Sequence, residues 1–415
     1  MALDTRTRLF HNIRRLEFEE ITDRVIPDAV TSHGELAARG IDYQHLPSLG
    51  FVVDGAELTL RSNNRTIVVD AGIGRADVVA ELLPDAFSDL VQDVQSTMGL
   101  AMTSRVKISN GAINDWIGWE PALRALLDGR KVHEIGDVTF VDLDGDPLDL
   151  DRTFTIDDDL EEMAHFLRQA GFLHLRDFFD ADEMADVGRD IDEWIARATP
   201  DDGESWWATD DHGVSQAVRV LFFYEKSGAL RALVDSDRYR QIAELVGEGH
   251  VHRGGGEGLV KPLGIVRGLS DLPWHKDCGQ GQHSYNCSGL TCGISVTGAD
   301  ANSGALGVVP GSHRANTMAT GRDPRLDLAS RKLETRTGDV TVHCSDTLHR
   351  AYPPIERPRK VVYSGFGLPP KAGDVVAADP RYSRAARAEL SSVQDRIEAA
   401  DNEQDPRRYQ ARRGH

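Results

Sequence analysis

The stretch Trp274-His275-Lys276-Asp277 constrains this chain's fold more than any other, because it calls for a later histidine to be brought beside it. Strand side chains alternate between faces, so His275 and Asp277 on a strand project to one side. One further imidazole from a later strand completes a set of two imidazoles and one carboxylate. That donor set holds Fe(II) and leaves positions open for oxygen and a bidentate co-substrate. His349 is the leading candidate, since the strand-like Asp339-Val340-Thr341-Val342-His343 leads up to it and Arg359-Lys360-Val361-Val362-Tyr363 follows ten residues later. His343 is the alternative third ligand. An H-x-D pair alone recurs by chance, but the pair, a His about 70 residues on and an Arg about 10 beyond it form a far more specific constellation.

Other segments stand around these residues in a telling order. They are Gly171-Phe172-Leu173-His174-Leu175-Arg176-Asp177-Phe178-Phe179, then Asn302-Ser303-Gly304-Ala305-Leu306-Gly307-Val308-Val309-Pro310-Gly311-Ser312-His313-Arg314, then Gly338-Asp339 ahead of His349. With them, residues 157–370 resemble the phytanoyl-CoA dioxygenase family of iron- and 2-oxoglutarate-dependent oxygenases. The resemblance implies a C-terminal double-stranded β-helix (a cupin-like jelly roll) with flanking helices. It implies His275, Asp277 and His349 as metal ligands, with no catalytic side chain beyond them. The cofactors implied are Fe(II), 2-oxoglutarate as co-substrate, and O2. Arg359 would pair bidentately with the distal carboxylate of 2-oxoglutarate, and Thr291 would give the same molecule a hydroxyl. Halogenating relatives carry Gly or Ala where Asp277 stands, so hydroxylation, desaturation or ring closure is expected instead. Two positions depart from the family pattern: Gly293 replaces a Trp common near the co-substrate, and Ala351 a Ser common after the distal His. Both imply a roomier or differently bonded co-substrate pocket. His313 is expected to shape a turn.

A chain of 415 residues exceeds one ordinary core, which suggests two domains. An α+β protein is expected, with a smaller N-terminal α+β domain over 1–140, an acidic linker over 141–156, the oxygenase domain over 157–375 and an Arg/Ala-rich helical tail over 376–415. The net charge of -20 repels phosphate backbones, so a nucleic-acid partner is not expected. No apolar run is long enough to span a membrane, and Met1–Glu20 lacks a signal-like apolar core. Cytoplasmic residence follows. A small-molecule substrate is expected, and a homo-oligomer is compatible with the sequence.

Cys278, Cys287, Cys292 and Cys344 form no C-x-x-C pair. Reduced thiols packed as small hydrophobes are therefore expected, with a zinc site drawing on His275 and His283 as the rival.

Within 1–140, the apolar stripe Leu9, Ile13, Leu16 and Ile21 predicts a helix. Strands are expected at Phe51–Val53, Glu57–Leu60, Thr66–Val69 and Arg105–Ile108, and helices at Asp77–Leu83, Ala86–Val94 and Ala112–Leu127. This pattern loosely resembles sterol-carrier-type lipid-binding domains, which implies an apolar ligand between sheet and helices. The acids of 141–159 read as a solvated linker rather than a calcium loop, because the twelfth position from Asp142 is Thr153. Ser205-Trp206-Trp207 and His212 fall in a polar, turn-rich stretch that could form a lid, or the aromatic pair could equally pack under the loop. The function expected is oxidation of a small, largely apolar metabolite or lipid-like substrate. A lipid carrier with a non-catalytic jelly roll and a zinc hydrolase using the Cys/His cluster are the alternatives.

Overall fold

The computed structural model describes residues 13–369 apart from 253, 269–271, 280–282, 286 and 288. Leu9 of the first apolar stripe and the expected 376–415 tail lie outside the described residues.

The N-terminal part is an α+β unit. Helix begins at Phe18, passes through a π-helical segment Ile21–Val25 and continues as Ile26–Gln44. His45 ends it in the left-handed conformation. The expected meander follows as β1 (Leu49–Val53), β2 (Ala56–Asn63) and β3 (Thr66–Ala71), with tight turns at Asp54-Gly55 and Asn64-Arg65, all four at positive φ. With β4 (Val78–Leu82) and β5 (Val106–Asn110) they form a sheet ordered β3-β2-β1-β4-β5, in which β1 and β4 are parallel.

Here two expectations need correction. Asp77–Leu83 is not a helix, because Val78–Leu82 is the buried strand β4, paired on both sides. A short segment opening with two valines suits a central strand, and periodicity alone cannot separate the two forms. Ala112–Leu127 divides into helices Ile113–Gly118 and Glu120–Asp128, with Pro121 in the first turn of the second. The layer between sheet and helices is filled by side chains such as Phe51, Phe87 and Trp116, whose rings meet at 5.1 and 6.2 Å.

Phe154 anchors the acidic stretch: it is buried, bridges to Leu175 and sets its ring edge-on to Phe166. Helix Leu160–Ala170 starts where Asp159 accepts the Glu162 N–H and stops at Gly171, as its acids and glycine lead one to expect. Helix Ala181–Arg197 opens with a capping box from Asp180 and Glu183.

The remaining strands form two antiparallel sheets. The larger contains β6 (Phe172–Leu175), β7 (Ser205–Asp210), β8 (Ser215–Val220), β9 (Val251–His252), β10 (Glu257–Lys261), β11 (Ile265–Arg267), β13 (Leu290–Ser295), β16 (Val340–Cys344) and β18 (Arg359–Gly367). Its order is β11-β7-β8-β10-β18-β13-β16-β6, with β9 also on β18. The smaller sheet is β12 (Leu272–His275), β17 (His349–Ala351), β14 (Leu306–Val308) and β15 (Arg331–Leu333), in that order. Alternation sorts the large sheet's residues. Leu290, Cys292, Ile294, Val340, Val342, Val362 and Phe366 share an apolar core with the helices. Their neighbours Thr291, Gly293, His343, Thr341, Tyr363 and Arg359 fall on the opposite face.

Ser205-Trp206-Trp207 is not a lid. It belongs to β7, and Trp206 is buried beneath the Arg219 guanidinium, 4.3 Å from its ring. Trp206, Ala208, Val218 and Leu221 join the same apolar cluster as the N-terminal sheet. That edge of the large sheet therefore shares a core with the N-terminal unit. His212 lies in the exposed β7–β8 turn.

Candidate metal and co-substrate site

Strand β12 ends at His275 and β17 begins at His349, and the antiparallel register sets the two residues opposite each other. Their ring centroids are 4.2 Å apart. Each ring is held through Nδ1 by a backbone carbonyl, His275 by Pro273 at 2.6 Å and His349 by Thr347 at 2.9 Å. A carbonyl partner makes Nδ1 the protonated nitrogen and leaves the Nε2 lone pair available as a ligand. The Nε2 atoms lie 3.4 and 3.6 Å from Asp277 Oδ1. One ligand atom from each of His275, Asp277 and His349 falls within 4.8 Å of the others.

Strand alternation accounts for only part of this convergence. Asp277 sits in the turn beyond β12, pinned on either side by Lys276 N–H to Ala319 O (2.7 Å) and Cys278 N–H to Ser345 O (3.2 Å). Lys276, unassigned from the sequence, is buried and donates Nζ to the Ser312 carbonyl at 3.1 Å; burial pushes its ammonium down to about 8. Ser312 Oγ accepts the Leu348 N–H at 2.7 Å, so the Pro310–Arg314 turn braces both ends of the triad. His313, in that turn, is structural as expected: its Nε2 meets the Arg168 carbonyl at 3.0 Å, and burial pushes it down to about 3. A Cβ on Gly171 would strike its ring at 2.3 Å. Asp339 ties β16 to the chain around β6, accepting from the Asp177 and Arg336 amides and pairing with His174 Nε2.

Burial alone would raise the Asp277 carboxyl, but the surrounding imidazoles, His349 foremost, hold it well below its ordinary range. Burial, helped by His275 and His343, pushes His349 well below its usual value and keeps it neutral. An ionised carboxylate beside the neutral His349 imidazole is the form a divalent metal needs.

His343 stands closer to this centre than a core residue would. It is fully buried, its ring is 4.2 Å from that of His349, and its Nε2 is 3.6 Å from Asp277 Oδ2. Neither ring nitrogen has a hydrogen-bond partner. The pairing of His343 with Thr291 explains the position, since both side chains share the polar face.

Thr291, expected to give the co-substrate a hydroxyl, contacts the Asp277 carboxylate. Its Oγ1 donates to Asp277 Oδ2 at 2.8 Å, a bond that orients the carboxylate. Thr291→Val is expected to weaken Fe(II) binding about 10- to 100-fold while the fold persists. Anaerobic competition titration measures this, and unchanged affinity would assign the hydroxyl elsewhere.

Further along the same face, Arg359 is buried. Its Nε has no hydrogen-bond partner, and Nη2 reaches only the Tyr363 hydroxyl at 3.5 Å. A buried guanidinium so weakly satisfied suits an incoming carboxylate. Between Thr291 and Arg359 the face is bare at Gly293, but the space is not simply empty. A Cβ there would meet Thr341 Oγ1 at 2.8 Å and the Tyr363 ring at 3.3 Å. Tyr363 thus occupies part of the room that Gly293 leaves. Ala351 is buried between Leu272 and Leu306 of the neighbouring strands.

These donors fit Fe(II), and Arg359 fits a dicarboxylate. Residues 167–357 match the family model described as phytanoyl-CoA dioxygenase. Among solved structures, the chain is similar to the non-haem, α-ketoglutarate-dependent epimerase SnoN from nogalamycin biosynthesis: 21% identity, 50% of this chain and 82% of that one, TM-score 0.42. It is also similar to EctD from S. alaskensis with 2-oxoglutarate and 5-hydroxyectoine: 18% identity, 57% and 86% coverage, TM-score 0.43. The carbocyclase SnoK matches at 20% identity over 52% of this chain and 87% of that one, TM-score 0.40. Likeness at this level carries no argument about activity. No curated protein sequence matches the chain. Among the described residues, no helix is long and apolar enough to cross a membrane. The region 167–357 is thus similar to the phytanoyl-CoA dioxygenase family, and the chain is an Fe(II)- and 2-oxoglutarate-dependent dioxygenase that uses O2.

Proposed function

We propose that His275, Asp277 and His349 hold the iron, that Arg359 receives the distal carboxylate of 2-oxoglutarate, and that the reaction oxidises a small, largely apolar metabolite. The observation that carries this reading is the convergence of two carbonyl-anchored imidazoles on one carboxylate oxygen. The two C-terminal sheets are taken as the walls of a double-stranded β-helix, with the triad on the turn and strands of the smaller wall. When bound, iron, 2-oxoglutarate and O2 supply the oxidising power that yields succinate and carbon dioxide and removes hydrogen from an unactivated C–H bond.

The chain's own residues hold and orient these groups. Pro273 O and Thr347 O set the imidazole tautomers, and Thr291 fixes the Asp277 carboxylate. Tyr363 and Gly293 shape the floor between metal and Arg359. A lipid carrier gains little support, since the interior of the N-terminal unit is filled and the groove beside it, about 680 Å³, is lined by Asp42, His45, Arg61, Arg75 and Asp77. The four free thiols suit a reducing compartment, the cytoplasm. Aerobic incubation with Fe(II), 2-oxoglutarate and a panel of metabolites should yield succinate in step with one consumed metabolite. No succinate under any condition would defeat the reading.

Arg359→Lys keeps the charge but loses the planar fork. The KM for 2-oxoglutarate should rise roughly ten- to hundredfold, as a loss of about 1.4–2.8 kcal/mol of charge-assisted bonding requires. Iron affinity should hardly change. Steady-state kinetics with anaerobic iron titration would separate this from general damage.

A further inference from the structure

We propose that Cys278, His283 and Cys287 form a second metal site, for Zn2+, that clamps the segment following Asp277 against the N-terminal unit. One ligand atom from each residue lies within 4.8 Å of the other two, and none of the four cysteines is in a disulfide. Two thiolates and an imidazole are the donors of a tetrahedral zinc site, whereas the His275–Asp277–His349 set is all nitrogen and oxygen. The two centres therefore differ in the metal they select, although Cys278 directly follows Asp277.

The sequence offered no C-x-x-C, and the thiols were expected to pack as small hydrophobes. Cys292 does so: it is fully buried in the helix-facing core. Cys278 and Cys287 instead bring their thiols together beside His283. The Cys287 amide donates to the buried Asp346 carboxylate at 3.3 Å, which fixes the backbone at one of the three donors.

The surroundings show what such a clamp would secure. Ser96 Oγ donates to Gly279 O at 2.6 Å, and Ser284 N–H donates to Asp93 Oδ1 at 3.0 Å. The Arg130 guanidinium lies 4.0 Å over the Tyr285 ring. Residues 279, 284 and 285 are thus tied to the N-terminal unit, while Cys278 N–H is tied to Ser345 O ahead of His349. Zinc at Cys278, His283 and Cys287 closes this segment on itself between those two sets of anchors. It would hold Asp277 in place without joining the reaction.

The test uses the full chain purified without chelators, with metal content measured by mass spectrometry after anaerobic removal of iron. Wild type should retain about one zinc per chain. Cys287→Ser and His283→Ala should each lose most of it, and Cys292→Ser should keep it. His275→Ala should lose iron and keep zinc, which separates failure of this site from failure of the iron assignment. Co2+ loaded in place of zinc should show a thiolate-to-cobalt charge-transfer band in wild type and His275→Ala, absent in Cys287→Ser. Zinc that persists in Cys287→Ser, or that leaves with His275→Ala, would overturn the proposal. So would a zinc-free wild type whose Cys278 and Cys287 are found joined as a disulfide.

Discussion

His349→Ala is expected to strip the protein of Fe(II) and of turnover together, whereas His343→Ala should keep iron within about tenfold of wild type and lose only part of the rate. Both histidines are buried and both touch Asp277, so burial and proximity do not distinguish them. Anchoring does. His349 and His275 each have Nδ1 fixed to a carbonyl, which aims Nε2 at the same carboxylate oxygen, Oδ1. His343 has no such anchor and lies by Oδ2, the oxygen already bonded to Thr291. Losing a partner that merely orients a metal ligand costs about 10- to 100-fold in affinity, so removing a ligand itself should exceed a hundredfold. Asp277→Ala should resemble His349→Ala. Anaerobic Fe(II) titration with 2-oxoglutarate, followed through its charge-transfer absorption, reads all three variants. A dead His343→Ala beside an active His349→Ala would reverse the ligand assignment.

The order of segments that resembles the family singled out His349 and Arg359 as candidates, while local strand spacing set His275 beside Asp277. The Asp159 cap and Gly171 stop were legible for the same reason, since caps act within one turn. What escaped depends on partners distant in sequence. Val78–Leu82 became a strand because β1 and β5 flank it, which no window of residues records. For Trp206 a lid and a packed position stood equally open, and it closes a core begun by helices more than a hundred residues earlier. The bond from Thr291 to Asp277 was not legible either, because the turn after β12 makes it. His343 was legible as a candidate, but its closeness to Asp277 follows from pairing with Thr291, a register that alternation alone does not fix.

Arg124→Leu should be among the most destabilising single changes in the chain, at about 3–5 kcal/mol, because it strands buried carboxylates. Arg124 is fully buried. Its Nη1 lies 2.9 Å from Asp128 Oδ2 and 3.8 Å from Asp93 Oδ1, and Nη2 donates to the Leu90 carbonyl at 2.6 Å. Nε is 3.1 Å from Glu120 Oε1 but not aligned for a hydrogen bond, so that contact acts through charge. Glu120 and Asp93 are themselves buried, and Asp93 also receives the Ser284 amide from the segment after Asp277. Burial raises the Glu120 carboxyl above its ordinary value, Arg124 pulls it down and Asp93 pushes it up. Without Arg124 it must rise further. A carboxyl whose folded pKa exceeds its unfolded one stabilises the fold most below the unfolded pKa, and that contribution is lost as pH rises through the folded pKa. The deficit of Arg124→Leu should therefore be greatest near neutral pH and shrink as pH falls toward about 5. Urea unfolding of wild type and variant at both pH values measures it. An equal deficit at the two would mean that lost packing, not stranded charge, sets the cost.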